Sequence, residues 1–172
     1  METIAVYWEP KIKTYGFQYA SDLCMLELSF QFGQMAAWGL RIQELGELGI
    51  SFDLVLVQQS GGQGLEFYLV FPRQWEDSAL NYFHQIIQEK GPGVVRTFSP
   101  VDLIHFSGPH FGDRYGIAEA AFTALANRGV PVLASACSAS CIYLVLPEKR
   151  AEEAGEALAE VFEAAPNSRL PL

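Results

Sequence analysis

The chain has 172 residues, half of them hydrophobic and 18% charged, enough apolar material for one ordinary domain or two small ones and too much for a disordered tail. Eleven basic against 20 acidic residues leave a formal charge of −9, which repels phosphate backbones and anionic lipid and so argues against nucleic acid or a membrane surface as partner. No apolar stretch reaches the roughly 20 residues a bilayer demands, the opening Met1-Glu2-Thr3-Ile4 lacks a leader's basic-then-apolar pattern, and three cysteines without zinc-ligand spacing fit a reducing cytoplasm.

In chain order, Ile4 to Trp8 and Tyr15 to Tyr19 are strand-like. Cys24 to Phe30 follows as an apolar, partly alternating strand. Beyond the Gly33 loop, Met35, Trp38, Ile42 and Leu45 recur at helical spacing, and Gly46 and Gly49 suit its end because glycine takes the left-handed cap conformation. Ile50 to Gln58 and Leu65 to Phe71 read as strands around the glycine-rich turn Ser60-Gly61-Gly62-Gln63-Gly64, and Pro72 stands where a helix can begin. Ala79, Phe83 and Ile86 mark that helix, which Gly91-Pro92-Gly93 stops before a strand from Val94 to Phe98. The order is β-α-β-β-α-β. It then repeats: strand Val101 to Phe106, helix Gly116 to Asn127, strands Val130 to Cys137 and Cys141 to Leu146, helix Glu148 to Phe162.

Direct comparison of the halves supports a duplication. Phe67-Tyr68-Leu69-Val70-Phe71-Pro72 matches Ile142-Tyr143-Leu144-Val145-Leu146-Pro147, and Ile42, Leu45, Gly49, Ile50 and Phe52 match Phe122, Leu125, Gly129, Val130 and Val132. The second half ends in Ala165 to Leu172, whose prolines make a poor strand. Its sheet therefore lacks a fourth strand, and the spare material is at the N-terminus. The expectation is an α+β protein of two ferredoxin-like units with antiparallel sheets and helices on one face. One unit covers residues 22–99; the other covers 100–165, completed by segment 3–19. Sheet faces and edges left open point to a homodimer.

Three places invite chemistry. The loop Ser107 to Gly116 joins a strand to a helix, and its glycines and free helix N–H groups suit a small anion; Gln31 to Ala36 is its neutral counterpart in the first half. His105, His110 and Asp113 are conceivable metal ligands, but strand and loop positions give no assurance of convergence, so no metal or other cofactor is expected. Cys137 and Cys141 flank a tight hairpin, where small buried thiols are the simpler account than a bridge, and Cys24 reads as core. No nucleophile stands beside a base. Arg114 alone fits an acylphosphatase pattern, without an asparagine in the next strand, so no catalytic residue is expected.

Leu125-Ala126-Asn127-Arg128-Gly129-Val130-Pro131-Val132 resembles the helix-end, glycine, strand signature of ACT domains, small amino-acid-sensing modules. From about Tyr15 to Phe162 the chain is similar to the tandem ACT regulatory region of aspartokinases, without the kinase domain. Tyr15 to Tyr19 resembles that region's opening strand, Gly49 to Gln58 its glycine-isoleucine segment, and Ala136 to Ser140 its serine-rich hairpin. The resemblance implies one ACT unit inserted in the other, an amino-acid effector and a partner enzyme of biosynthesis. By position it implies ligand contacts at Gly33, Gln34, Met35, Ala36, Ser51, Phe52, Asp53 and Gln58, and in the second unit at His110, Asp113, Tyr115, Gly116 and Val130. Gln34-Met35-Ala36 stands where the family has aspartate followed by proline-glycine, so a ligand-free dimerisation module or subunit of an aspartokinase-like enzyme remains the alternative.

Overall fold

The computed structural model describes residues 10–60, 64–90 and 93–164. The strand expected over Ile4 to Trp8, the loop residues 61–63, the stop at Gly91-Pro92 and the tail from 165 lie outside the described residues. Eight strands and four helices are formed among them: β1 Ile12–Thr14, β2 Gly16–Gln31, α1 Met35–Glu47, β3 Leu54–Ser60, β4 Gly64–Pro72, α2 Glu76–Lys90, β5 Val94–Ser107, α3 Ile117–Asn127, β6 Ala134–Cys137, β7 Cys141–Pro147, α4 Ala151–Val161 and β8 Phe162–Ala164. The chain divides into two compact units, an inner one of Ser21–Asp102 and an outer one from the residues on either side of it.

The inner unit orders its strands β3-β4-β2-β5. β4 is antiparallel to both neighbours, with Leu26 opposite Leu69 and Val55 opposite Leu69 on the other side. The pleat sends Cys24, Leu26, Leu28 and Phe30 of β2 to the same side as Leu65, Phe67, Leu69 and Phe71 of β4. There they form a core with Trp38 and Leu45 of α1 and Ala79 and Phe83 of α2, so both helices cover one face. Trp38 stacks between Phe30 and Phe83, with ring centroids 5.0 and 5.8 Å away.

The outer unit takes the first residues of β2 and the last of β5, in the order β2-β5-β7-β6. Its core joins distant parts of the chain: Phe17, Phe106 and Phe162 pack edge to face with centroids 5.0–6.4 Å apart, beside Ile117, Ala121 and Leu125 of α3 and Ala154, Ala157 and Leu158 of α4. β1 adds a short parallel ladder with β8, Ile12 opposite Phe162, and Lys11 Nζ donates to the Ala159 carbonyl at 2.6 Å.

The helix ends follow the duplication. Gly49 and Gly129 both have positive φ, +93° and +65°, and in each unit the next N–H reaches back to a leucine carbonyl, Ile50 to Leu45 at 3.2 Å and Val130 to Leu125 at 3.0 Å. Glycine is needed there because a Cβ is strained in that conformation.

Several boundaries differ from the sequence expectation. Tyr15 to Tyr19 and Cys24 to Phe30 belong almost wholly to one strand, β2, which runs through Asp22 at φ +57°, a conformation that aspartate tolerates better than most side chains. Val94 to Phe98 and Val101 to Phe106 likewise merge into β5 across a cis Ser99–Pro100 peptide. Ile50 to Asp53 and Val130 to Leu133 are linkers, not strand, and α4 starts at Ala151, three residues after the expected Glu148. Pro72 closes β4, and a 3₁₀ turn, Arg73–Trp75, intervenes before α2.

Candidate functional site

In the inner unit the expected ligand residues fall into separated groups. Gly33 and Gln34 form a 3₁₀ turn with Phe32, and Met35 and Ala36 open α1. The Gln34 carboxamide oxygen accepts the Gln31 N–H at 3.3 Å, so this side chain braces its own turn. Ser51, Phe52 and Asp53 occupy the linker before β3. Phe52 packs against Phe71, centroids 6.0 Å apart, and the Asp53 N–H donates to the Val70 carbonyl at 2.8 Å. The Asp53 residue is open to solvent overall, yet surrounding protein raises its carboxyl pKa, with its own backbone N–H opposing the shift.

Strand register fixes how far apart these groups are. Gln31, Gly64 and Ser60 are cross-strand neighbours at one end of the sheet, whereas Leu54 pairs with Val70 at the other. The Gly33–Ala36 turn follows Gln31, and the Ser51–Asp53 linker precedes Leu54. At about 3.3 Å per strand residue the two groups are on the order of 20 Å apart within one unit. Gln58 is at the turn's end, but its Nε2 donates to Glu66 Oε2 at 3.1 Å and to the Tyr68 hydroxyl at 3.0 Å.

That bonding exposes a cluster missed in the sequence. On the sheet face away from the helices, the Tyr68 hydroxyl donates to Glu66 Oε2 at 3.0 Å. Nearby, Arg96 NH1 meets the buried Glu27 carboxylate at 2.9 Å. Burial first, then the Glu66 hydrogen bond and charge, push the Tyr68 phenol up to about 12. Hydrogen bonds from Ser60 and Gln58 hold Glu66 below its ordinary value. The available signal was a lone glutamate in each of two otherwise largely hydrophobic runs, Glu27 and Glu66, on adjacent strands.

In the outer unit the loop after β5 holds together more tightly. His110 Nδ1 and Asp113 Oδ2 are 3.4 Å apart, and the Arg114 N–H donates to the His110 carbonyl at 3.0 Å. Gly108 leaves no room for a side chain, since an added Cβ would come within 3 Å of the Lys13 carbonyl and 2.7 Å of Phe111 Cδ1. Gly116, with φ +81°, caps α3, and Tyr115 before it is wholly exposed. The β6–β7 hairpin reaches this loop, with the Ala139 carbonyl 3.3 Å from a Cβ placed on Gly112. The Ser138 hydroxyl ties that hairpin's tip, accepting the Ser140 and Cys141 N–H groups at 3.2 and 3.1 Å. Val130, by contrast, is buried in the core at the opposite end of α3.

His105 does not join His110 and Asp113: it stacks on Tyr143, centroids 5.0 Å apart, and burial lowers its pKa. Among the described residues no three His, Cys, Asp or Glu side chains are grouped to hold a metal ion. Cys137 is opposite Ile142 in the ladder, not opposite Cys141, and all three cysteines are free thiols; Cys24 is buried, but Cys137 is exposed and Cys141 half-buried at the hairpin's end, so the expected burial of that pair does not hold. No described helix is long and apolar enough to cross a membrane.

The two strand orders, each with a pair of helices on one face, define an α+β protein of two ferredoxin-like units. No family model matches the sequence, and no curated protein does. The fold itself is shared with solved structures. The ligand-free regulatory subunit of aspartate kinase from Thermus thermophilus is similar with a TM-score of 0.74 at 21% identity, over 87% of this chain and 99% of that one. The regulatory subunit from Thermus flavus gives 0.73 at 19% identity, over 86% and 97%. Aspartate kinase from Synechocystis gives 0.77 at 18% identity over 90% of this chain, which spans 27% of that longer chain.

Proposed function

We propose that this chain is a non-catalytic regulatory protein of the cytoplasm that binds a small ligand, an amino acid, at its strand-to-helix loops and acts as a dimer on a partner enzyme. The observation that carries this reading is the match of nearly the whole of the solved regulatory subunits by nearly the whole of this chain, with no kinase portion in the overlap. A ligand acts in such a protein by favouring one arrangement of the units through differential affinity. The separation of Gly33–Ala36 from Ser51–Asp53 supports the dimeric part, because a site using both groups needs a second copy to bring its linker to the first copy's turn.

Melting the full chain against each of the twenty amino acids tests the proposal. Ligand at tens of times its dissociation constant adds about 2 kcal/mol, which for a chain of this length raises Tm by about 4–8 °C. No shift with any amino acid refutes ligand binding and favours a ligand-free interaction module. One observation already points that way: Gln34, where the related loops carry aspartate, is turned onto its own turn's backbone.

A further inference from the structure

The loop after β5 is held by a segment far from it in sequence. At the loop's root the Tyr15 N–H donates to the Ser107 carbonyl at 2.9 Å. The Lys13 carbonyl lies against Gly108, too close for any side chain to fit between. Phe111, on the same loop, packs on Phe162 of β8, centroids 6.3 Å apart, and Phe162 is the ladder partner of Ile12. β1 and β8 therefore grip the first half of the loop together, one by its backbone and the other by a ring. What closes the grip is slight. Each strand has three residues, and the side-chain ties across them include Thr14 Oγ1 to the Glu163 carbonyl at 3.4 Å and Lys11 Nζ to the Ala159 carbonyl at 2.6 Å. A two-stranded ladder is marginal by itself, and elements with few bonds open locally at small cost in free energy.

We infer that β1 and β8 act as a strap whose closure sets the order of the loop over residues 108–114. The turns inside the loop are weak: the Phe111 and Asp113 N–H groups reach the Gly108 and His110 carbonyls at 3.4 Å each, long for such bonds. Its shape therefore depends on outside support. Opening the ladder lifts the Lys13 carbonyl off Gly108 and lets β8 carry Phe162 away from Phe111, so strap and loop loosen together. The coupling is reciprocal. A ligand that orders the loop seats β1, and whatever engages the chain ahead of Ile12 slackens the loop. This goes beyond the regulatory reading above and holds whether or not the loop takes an amino acid.

A reversible staple provides the test. Lys13 and Glu163 are ladder partners with exposed side chains, and neighbouring strands stand close enough for a disulfide. The full chain carrying Lys13→Cys and Glu163→Cys in a Cys137→Ser, Cys141→Ser background is linked with diamide. Tryptic cleavage after Arg114, in the loop, and after Arg128, beyond α3, is then timed in the oxidised and the reduced protein, with peptide masses locating each cut and no amino acid added. Cleavage of an opened segment follows its population, so oxidation is expected to slow the cut after Arg114 several-fold and leave the cut after Arg128 unchanged. Thr14→Val, which removes the hydroxyl and keeps the shape, is expected to speed the cut after Arg114 by about two- to tenfold, the span of one net hydrogen bond. Should Thr14→Val melt early, the staple alone decides. Equal rates after Arg114 in the two redox forms, equal slowing after Arg128, or a folded Thr14→Val cut like the wild type each overturns the inference, and a cysteine pair that does not link overturns the ladder beneath it.

Discussion

Replacing Gly108 by alanine tests how the N-terminal segment is held. The new Cβ would sit within 3 Å of the Lys13 carbonyl and 2.7 Å from Phe111 Cδ1. Lys13 belongs to β1, whose backbone is paired with β8, and Phe111 packs against Phe106 and Phe162, so neither neighbour yields without opening the ladder or the aromatic core. Overpacking of this kind costs roughly 1–3 kcal/mol, and a site with backbone on one side belongs at the upper end. At about 2–4 °C per kcal/mol for this chain length, Gly108→Ala is expected to lower Tm by about 6–12 °C. Gly155→Ala is the control. Its Cβ would meet the hydroxyl and ring edge of Tyr19, a side chain rather than backbone, while a mid-helix alanine gains up to about 1 kcal/mol over glycine, so a smaller drop than for Gly108→Ala is expected. Calorimetric melts of both variants give the answer. A Gly108→Ala protein melting with the wild type would refute the placement of β1 against this loop.

Gly39 is within α1 with open space around its missing Cβ, so Gly39→Ala should stabilise by about 0.5–1 kcal/mol in urea denaturation. Burial lowers the His105 pKa, so the unfolded chain takes up its proton first as pH falls below about 6.5. The unfolded state then binds more protons, and stability drops through the folded pKa. Urea midpoints from pH 7.5 to 5.5 should therefore fall more steeply for the wild type than for His105→Gln, and parallel slopes would dismiss the buried imidazole. Burial, and next the charge of Glu76, push the Cys24 thiol up to about 12; the native protein should be alkylated by iodoacetamide at Cys137 and Cys141 and at Cys24 only after denaturation, as read by peptide mass.

Local chemistry was legible wherever one residue decided the backbone. Gly49 and Gly129 announced helix ends because few other residues hold a positive φ, and the apolar faces of α1 and α2 followed from Trp38, Leu45, Ala79 and Phe83. Strand limits were less readable. Pro100 looks like a terminator since it has no N–H to donate, yet β5 runs through it. The β1 and β8 strands have three residues each, too few for alternation to show. The candidate loops were legible as strand-to-helix turns, but their relation to Asp53 and Gln58 was not, because it depends on the register of β3 on β4. Val130 shows the same limit: its place after a glycine was readable, its burial was not.

The closeness of Thr14 to Glu163, 149 positions apart in sequence, bears on the order in which a ribosome delivers this molecule. The middle of the polypeptide, 21–102, is complete once residue 102 has emerged. The leading segment must wait for β8, roughly 3–12 s later at common elongation rates. Nascent chains arrested near residue 130 are accordingly expected to resist protease over 21–102 while remaining cleavable around Phe17, because β8 is what shelters β1.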